Sequence, residues 1–118
     1  MAYMLMILEP REQRGERSLD EGKLLYQRML DWGDELRARG IFKASESLRP
    51  DADAVRVQVR EGRRVLVDGP FTEAKEMVGG FYLLDCKTRD EAIALAAECP
   101  AAQWCSVEVR EVAPCYIA

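Results

Sequence analysis

The chain has 118 residues and a formal net charge of −4, from 17 Lys and Arg against 21 Asp and Glu, with no histidine. That length predicts a single domain, residues 1–118, which buries about two-thirds of its unfolded surface without staples. With 48% hydrophobic and 32% charged residues, the composition excludes a disordered chain, and the mixed, slightly acidic charge disfavours nucleic acid, which selects a basic surface.

The first element, Tyr3 to Leu8, is apolar at almost every position, which predicts a strand covered on both faces. It is too short to span a membrane or to form the core of a signal peptide, so a cytoplasmic location and no membrane partner are expected. Residues 9 to 17 read as a charged loop. Ser18 with Glu21 makes a capping box, whose hydroxyl takes a free backbone N–H while the carboxylate reaches back. The helix it opens is expected to run to about Arg39, because Leu25, Met29, Trp32 and Leu36 fall on one face. Gly40 supplies a left-handed stop, and Ile41 to Ser47 predicts a short strand.

Ala54 to Arg60 alternates, which puts Val55, Val57 and Val59 inward. Glu61-Gly62 reads as a two-residue hairpin turn, with Arg64 to Val67 returning. The outward arginines Arg56, Arg60, Arg63 and Arg64 suit either an anion or plain hydration. Gly79 to Asp85 predicts a further strand, again apolar on both faces. Thr88 with Glu91 is a second capping box, and the helix it starts presents Ala92, Ile93, Leu95, Ala96 and Cys99 until Pro100 ends it. Trp104 to Val112 predicts the last strand, with Cys105, Val107 and Val109 inward. Tyr116 and Ile117 are expected to dock.

The four cysteines, Cys86, Cys99, Cys105 and Cys115, show no CxxC spacing. Without histidine they predict small apolar core residues rather than a zinc or redox centre, with Cys115 as an exposed thiol. No metal and no cofactor are expected. Two strand–helix–strand units flank a hairpin, an order that predicts an α+β fold, a ferredoxin-like sandwich with an added β-hairpin. One helix layer covers one sheet face, and the two-faced strands then predict a homodimer with the sheets packed together.

The densest chemistry lies in Asp68-Gly69-Pro70-Phe71-Thr72-Glu73-Ala74-Lys75-Glu76. Gly-Pro sets a turn, Asp68 is placed to accept from turn N–H groups, Phe71 anchors the corner, and Thr72 is expected to cap one helical turn. One reading makes the segment a structural link. The other makes Asp68 a candidate catalytic acid or base, with Asp68, Lys75, Glu76 and Tyr82 as candidate ligand-binding residues of a nearby pocket. On packing grounds Tyr82 also suits a buried aromatic with a satisfied hydroxyl.

This segment, followed by Gly79-Gly80-Phe81-Tyr82-Leu83-Leu84-Asp85, resembles the signature of the DGPF subgroup of the YCII-related proteins. The likeness extends to Tyr3-Met4-Leu5, to the helix ending Glu35 to Gly40, to Pro100-Ala101-Ala102 and to Val107 to Arg110. It implies a dimeric α+β barrel of ferredoxin-like subunits. Two readings of function follow: a small-molecule-binding protein, or cofactor-free enzyme, with its pocket near the DGPF corner, or a regulatory module linked to an extracytoplasmic-function sigma factor, beside which some relatives occur. Relatives in the wider family suggest a histidine–aspartate dyad. The absence of histidine here excludes that dyad and leaves Asp68 as the acidic candidate.

Overall fold

The computed structural model describes all of residues 1–118, as six strands and two long helices joined by loops and short 3-10 turns. Strands β1 (Ala2–Pro10), β2 (Phe42–Ser47), β5 (Glu76–Asp85) and β6 (Ser106–Glu111) form one sheet in the order β2-β5-β1-β6. Each neighbouring pair is antiparallel. Helix α1 (Leu19–Ala38) carries the chain from β1 to β2 with β5 between them, and α2 (Arg89–Glu98) carries it from β5 to β6 with β1 between them. This double split β-α-β arrangement is consistent with the ferredoxin-like α+β fold.

Both helices start where the sequence places their caps. Ser18 Oγ accepts from the Glu21 N–H at 3.1 Å, and Thr88 Oγ1 from the Glu91 N–H at 3.1 Å. The Glu91 carboxylate reaches back to the Lys87 N–H at 3.0 Å, completing a reciprocal cap. Gly40 ends α1 at φ 75°, the left-handed stop.

Alternation along β1 sends Tyr3, Leu5 and Ile7 to the helix side, where they join Tyr82 and Leu84 of β5. Trp32 and Leu36 of α1 and Ala92, Leu95 and Ala96 of α2 close over them. Full burial of a side chain such as Leu5, Leu36 or Leu84 contributes about 1.5–3 kcal/mol. Met4, Met6 and Leu8 point to the opposite face and remain only half-buried. Met6 lies opposite Phe81 on one side and Glu108 on the other.

Several local expectations need correction. Strands β3 (Val55–Arg60) and β4 (Arg63–Asp68) pair only with each other, turning at Glu61 (φ 52°) and Gly62 (φ 74°). Val55, Val57 and Val59 are therefore exposed rather than inward, Val57 by 58%, because this ladder lies outside the main sheet. No helical turn follows Thr72; the Ala74 N–H closes a turn onto the Phe71 carbonyl at 3.1 Å. Ile93 lies on the exposed side of α2, and Tyr116 is 82% exposed, so the tail does not dock on its own chain.

Candidate functional site

The inward register of β1 runs Tyr3, Leu5, Ile7 and then Glu9. The last position is a carboxylate only 6% exposed, the one charged side chain in the buried set. Two features make room for it. The β1–β5 ladder slips between Ile7 and Leu8, which leaves Gly79 as the extra residue on β5. A β-carbon on Gly79 would then lie 2.7 Å from Glu9 Cδ, so the carboxylate occupies the space that a side chain would take.

Arg14 holds this carboxylate. Its Nε lies 2.6 Å from Glu9 Oε1, while its terminal nitrogens donate to the carbonyls of Leu48 at 2.8 Å and Gly79 at 3.3 Å. The Nε contact is an ion pair rather than an aligned hydrogen bond, and Oε1 has no well-directed donor within the chain. Arg14 thereby ties the loop after β1 to the ends of β2 and β5.

Above Glu9, a cavity of about 600 Å³ opens between the sheet and α1. This volume lies within the usual range for small-molecule sites. Ile7, Glu9 and Gly79 form its floor, Leu25, Tyr26 and Met29 of α1 one wall, and Trp104 another side. Arg17 and Lys23 join Arg14 in lining it, so three cations meet one carboxylate in a chain whose net charge is −4. Neither Arg17 nor Lys23 has an ion-pair partner in the chain. Trp104 is held from outside by Arg28, whose guanidinium carbon lies 5.2 Å from the ring centre, and its carbonyl accepts from Gln13 Nε2 at 2.5 Å.

The residues singled out from the sequence are not gathered in this cavity. Tyr82 is a core residue whose hydroxyl donates to the Met29 carbonyl at 2.5 Å and whose ring lies 4.9 Å from that of Trp32. Burial pushes its hydroxyl up to about 12. Asp68 and Lys75 are exposed and do not line this cavity. Glu76 borders a smaller cavity of about 330 Å³ beside Phe71.

In the corner, the carboxylate that meets backbone N–H is that of Asp51, which accepts from Phe71 N–H at 3.3 Å and pairs with Arg11. Phe71 is buried as expected, with the Arg56 guanidinium stacked 3.6 Å from its ring centre. Gly69 is required there, since a β-carbon would lie 1.8 Å from the Asp51 carbonyl oxygen. The corner thus fastens the base of the β3–β4 hairpin to the end of β1.

Glu9, Arg14 and Arg17 escaped sequence reading because residues 9–17 look like a solvated loop, and Lys23, Tyr26 and Trp104 because they read as ordinary helix and strand positions. The available signals were a charge in the inward register of an otherwise apolar strand and the Gly79-Gly80 pair in its neighbour. Cys105 is not a nucleophile for the site. Burial first, and then the Glu9 charge, push its thiol up to about 11, and it donates to the Ala101 carbonyl at 3.2 Å.

The YCII-related domain matches residues 1–115. The chain belongs to the YCII-related family. An uncharacterised protein of Rhizobium meliloti (strain 1021) is 41% identical over 51 residues, which is 43% of this YCII-related chain and 41% of that relative. The match therefore spans less than half the length of the relative. Among solved structures, 5-chloro-2-hydroxyhydroquinone dehydrochlorinase from Burkholderia phenoliruptrix AC1100, in complex with 2,5-dihydroxybenzoquinone, superposes with a TM-score of 0.53 at 15% identity. The superposition covers 96% of this chain and 94% of that one. At that identity the likeness shows a shared fold.

Proposed function

We propose that this YCII-related protein binds a small organic molecule in the cavity between α1 and the sheet, and that Glu9 is the group that exchanges a proton with it. The observation that carries this reading is a buried carboxylate on the floor of an open cavity, with one oxygen free of any aligned donor. A chain spends burial on a carboxylate at a cost unless that group has a use or a full set of partners. The protein of similar fold that binds a dihydroxybenzoquinone supports the cavity as a ligand site. Proton transfer by a positioned carboxylate is the reaction class this geometry serves, with Arg14 fixing the carboxylate and no metal or cofactor called on.

We also assign the chain to the DGPF subgroup, on the strength of its DGPFTEAKE segment, with the corner as a structural brace. A metabolite-library thermal-shift screen tests the site. A ligand that raises the melting temperature of the parent and of Asp68→Asn, but not of Glu9→Gln, supports the cavity. Loss in Asp68→Asn with retention in Glu9→Gln would move the site to the corner.

A second reading, an interaction module linked to a sigma factor, draws on the exposed β3–β4 hairpin. One face carries Val55, Val57, Val59 and Leu66 in the open, and four arginines lie along the same two strands. Co-purification with an extracytoplasmic-function sigma factor, abolished by replacing residues 55–68 with a short Gly-Ser linker, would support it.

A further inference from the structure

Taking the cavity as the binding site, as proposed above, we infer that its ligand is a hydroxylated aromatic or enolic carboxylate. Arg17 and Lys23 hold its acidic end, and its hydroxyl is presented to Glu9. Arg14 is already committed to Glu9 and two backbone carbonyls. Arg17 and Lys23 line the same cavity without a carboxylate partner in the chain, and Arg17 is half-buried. A partly desolvated cation without a counter-charge is costly, and an anion entering beside it removes that cost.

Glu9 sets the opposite polarity at the floor. An ionised carboxylate only accepts hydrogen bonds, so it repels the anionic end of a ligand and takes a hydroxyl. A ligand matching both ends carries its negative charge toward Arg17 and Lys23 and a donor toward Glu9. Between these poles the lining is Ile7, Leu25, Met29 and the rings of Tyr26 and Trp104. Apolar and aromatic walls select a planar carbon skeleton rather than a compact inorganic anion, which would leave those walls unfilled. The net excess of two positive charges in the lining favours an anionic ligand over a neutral or cationic one.

Isothermal titration calorimetry on the full chain tests this with 4-hydroxybenzoate, its methyl ester and benzoate. The hydroxy acid is expected to bind, and the other two to bind roughly tenfold more weakly, each lacking one polar partner. Arg17→Ala and Lys23→Ala, both on surface-accessible segments, are expected to weaken the hydroxy acid by about tenfold each and to leave the ester unchanged. Circular dichroism verifies that both variants remain folded. An ester that binds as tightly as the acid, with both variants indifferent, overturns the charge assignment while the cavity stands. If none of the three binds at millimolar concentration but the metabolite screen yields a neutral cavity ligand, again only the charge assignment falls. If neither approach yields a ligand, the cavity reading falls with it.

Discussion

At residue 79 the absence of a side chain and the burial of Glu9 are one fact seen from two strands. The Gly79→Ala methyl would lie 2.7 Å from Glu9 Cδ, and the carboxyl is the movable end of a side chain, so it shifts rather than the backbone. We expect Gly79→Ala to cost about 1–2 kcal/mol of stability and to weaken a cavity ligand measurably. Gly69→Ala meets the Asp51 carbonyl oxygen at 1.8 Å, where backbone must move, and should cost more than about 3 kcal/mol. Guanidinium unfolding of the two variants compares them directly, and equal losses would contradict the distinction drawn between a yielding side chain and fixed backbone. A third residue reports on pH. Burial raises the Cys99 thiol from 9.0 to about 11, so the native state retains the proton while the unfolded chain gives it up. Stability is then full below pH 9 and declines between pH 9 and 11. The decline from Cys99 alone is about 2–3 kcal/mol at most. Denaturant midpoints at pH 8 and pH 11 should differ less for Cys99→Ala than for the parent; an equal difference in both would contradict it.

At the level of elements, the hairpin is where local pattern and tertiary placement part. Strict alternation in Val55, Val57 and Val59 signals a strand with one apolar face, but the pattern carries no information on what that face meets. The ladder β3–β4 stands apart from the main sheet, and a lone two-stranded ladder is marginal in water. Hydrogen–deuterium exchange should therefore find the cross-strand amides of β3 and β4 far less protected than those of β1 and β5. Equal protection would show that the hairpin is covered in solution. Elsewhere the elements were legible because several signals agreed. At α1 the Ser18 cap, the face of Leu25, Met29, Trp32 and Leu36, and the Gly40 stop converge on one helix, and at β1 the apolar run was long enough to stand alone. The cavity was not legible, since its parts come from the end of β1, the loop after it, the first half of α1, a β5 bulge and Trp104. Only the strand pairing Ile7 with Gly80 and Leu8 with Val78 brings them together, and a register slip of this kind leaves a faint mark in sequence. The corner motif misled for the opposite reason: its charges are dense, but Glu73 is spent on Arg56 at 3.2 Å and the carboxylate bonded to the turn is the distant Asp51.

The whole molecule is a slab, 47 × 42 × 20 Å, with a radius of gyration of 16.2 Å. A chain of this length packed as a sphere-like domain has about 13.5 Å. The excess reflects a two-layer body with an arm, and the thin dimension corresponds to one sheet and one helix layer. The sheet face away from the helices then carries Met4, Met6, Leu8, Phe81 and Leu83, half-buried and in register across β1 and β5. Continuous apolar surface of this kind in a water-exposed position marks an interface. We propose that a second copy related by a two-fold axis, the self-complementary solution, covers this face. Glu108 and Arg110 of β6 flank Met6 and Met4, so an antiparallel approach of two such sheets would set opposite charges at the rim and bring the methionines together at the centre. Met6→Glu places a carboxylate in the middle of that face without touching the helix-side core. Light scattering at micromolar concentration should then give about twice 13.4 kDa for the parent and the single-chain mass for Met6→Glu, with the circular dichroism of both alike. A parent that scatters as a single chain would leave the apolar face to some other partner and remove the homodimer from the proposal.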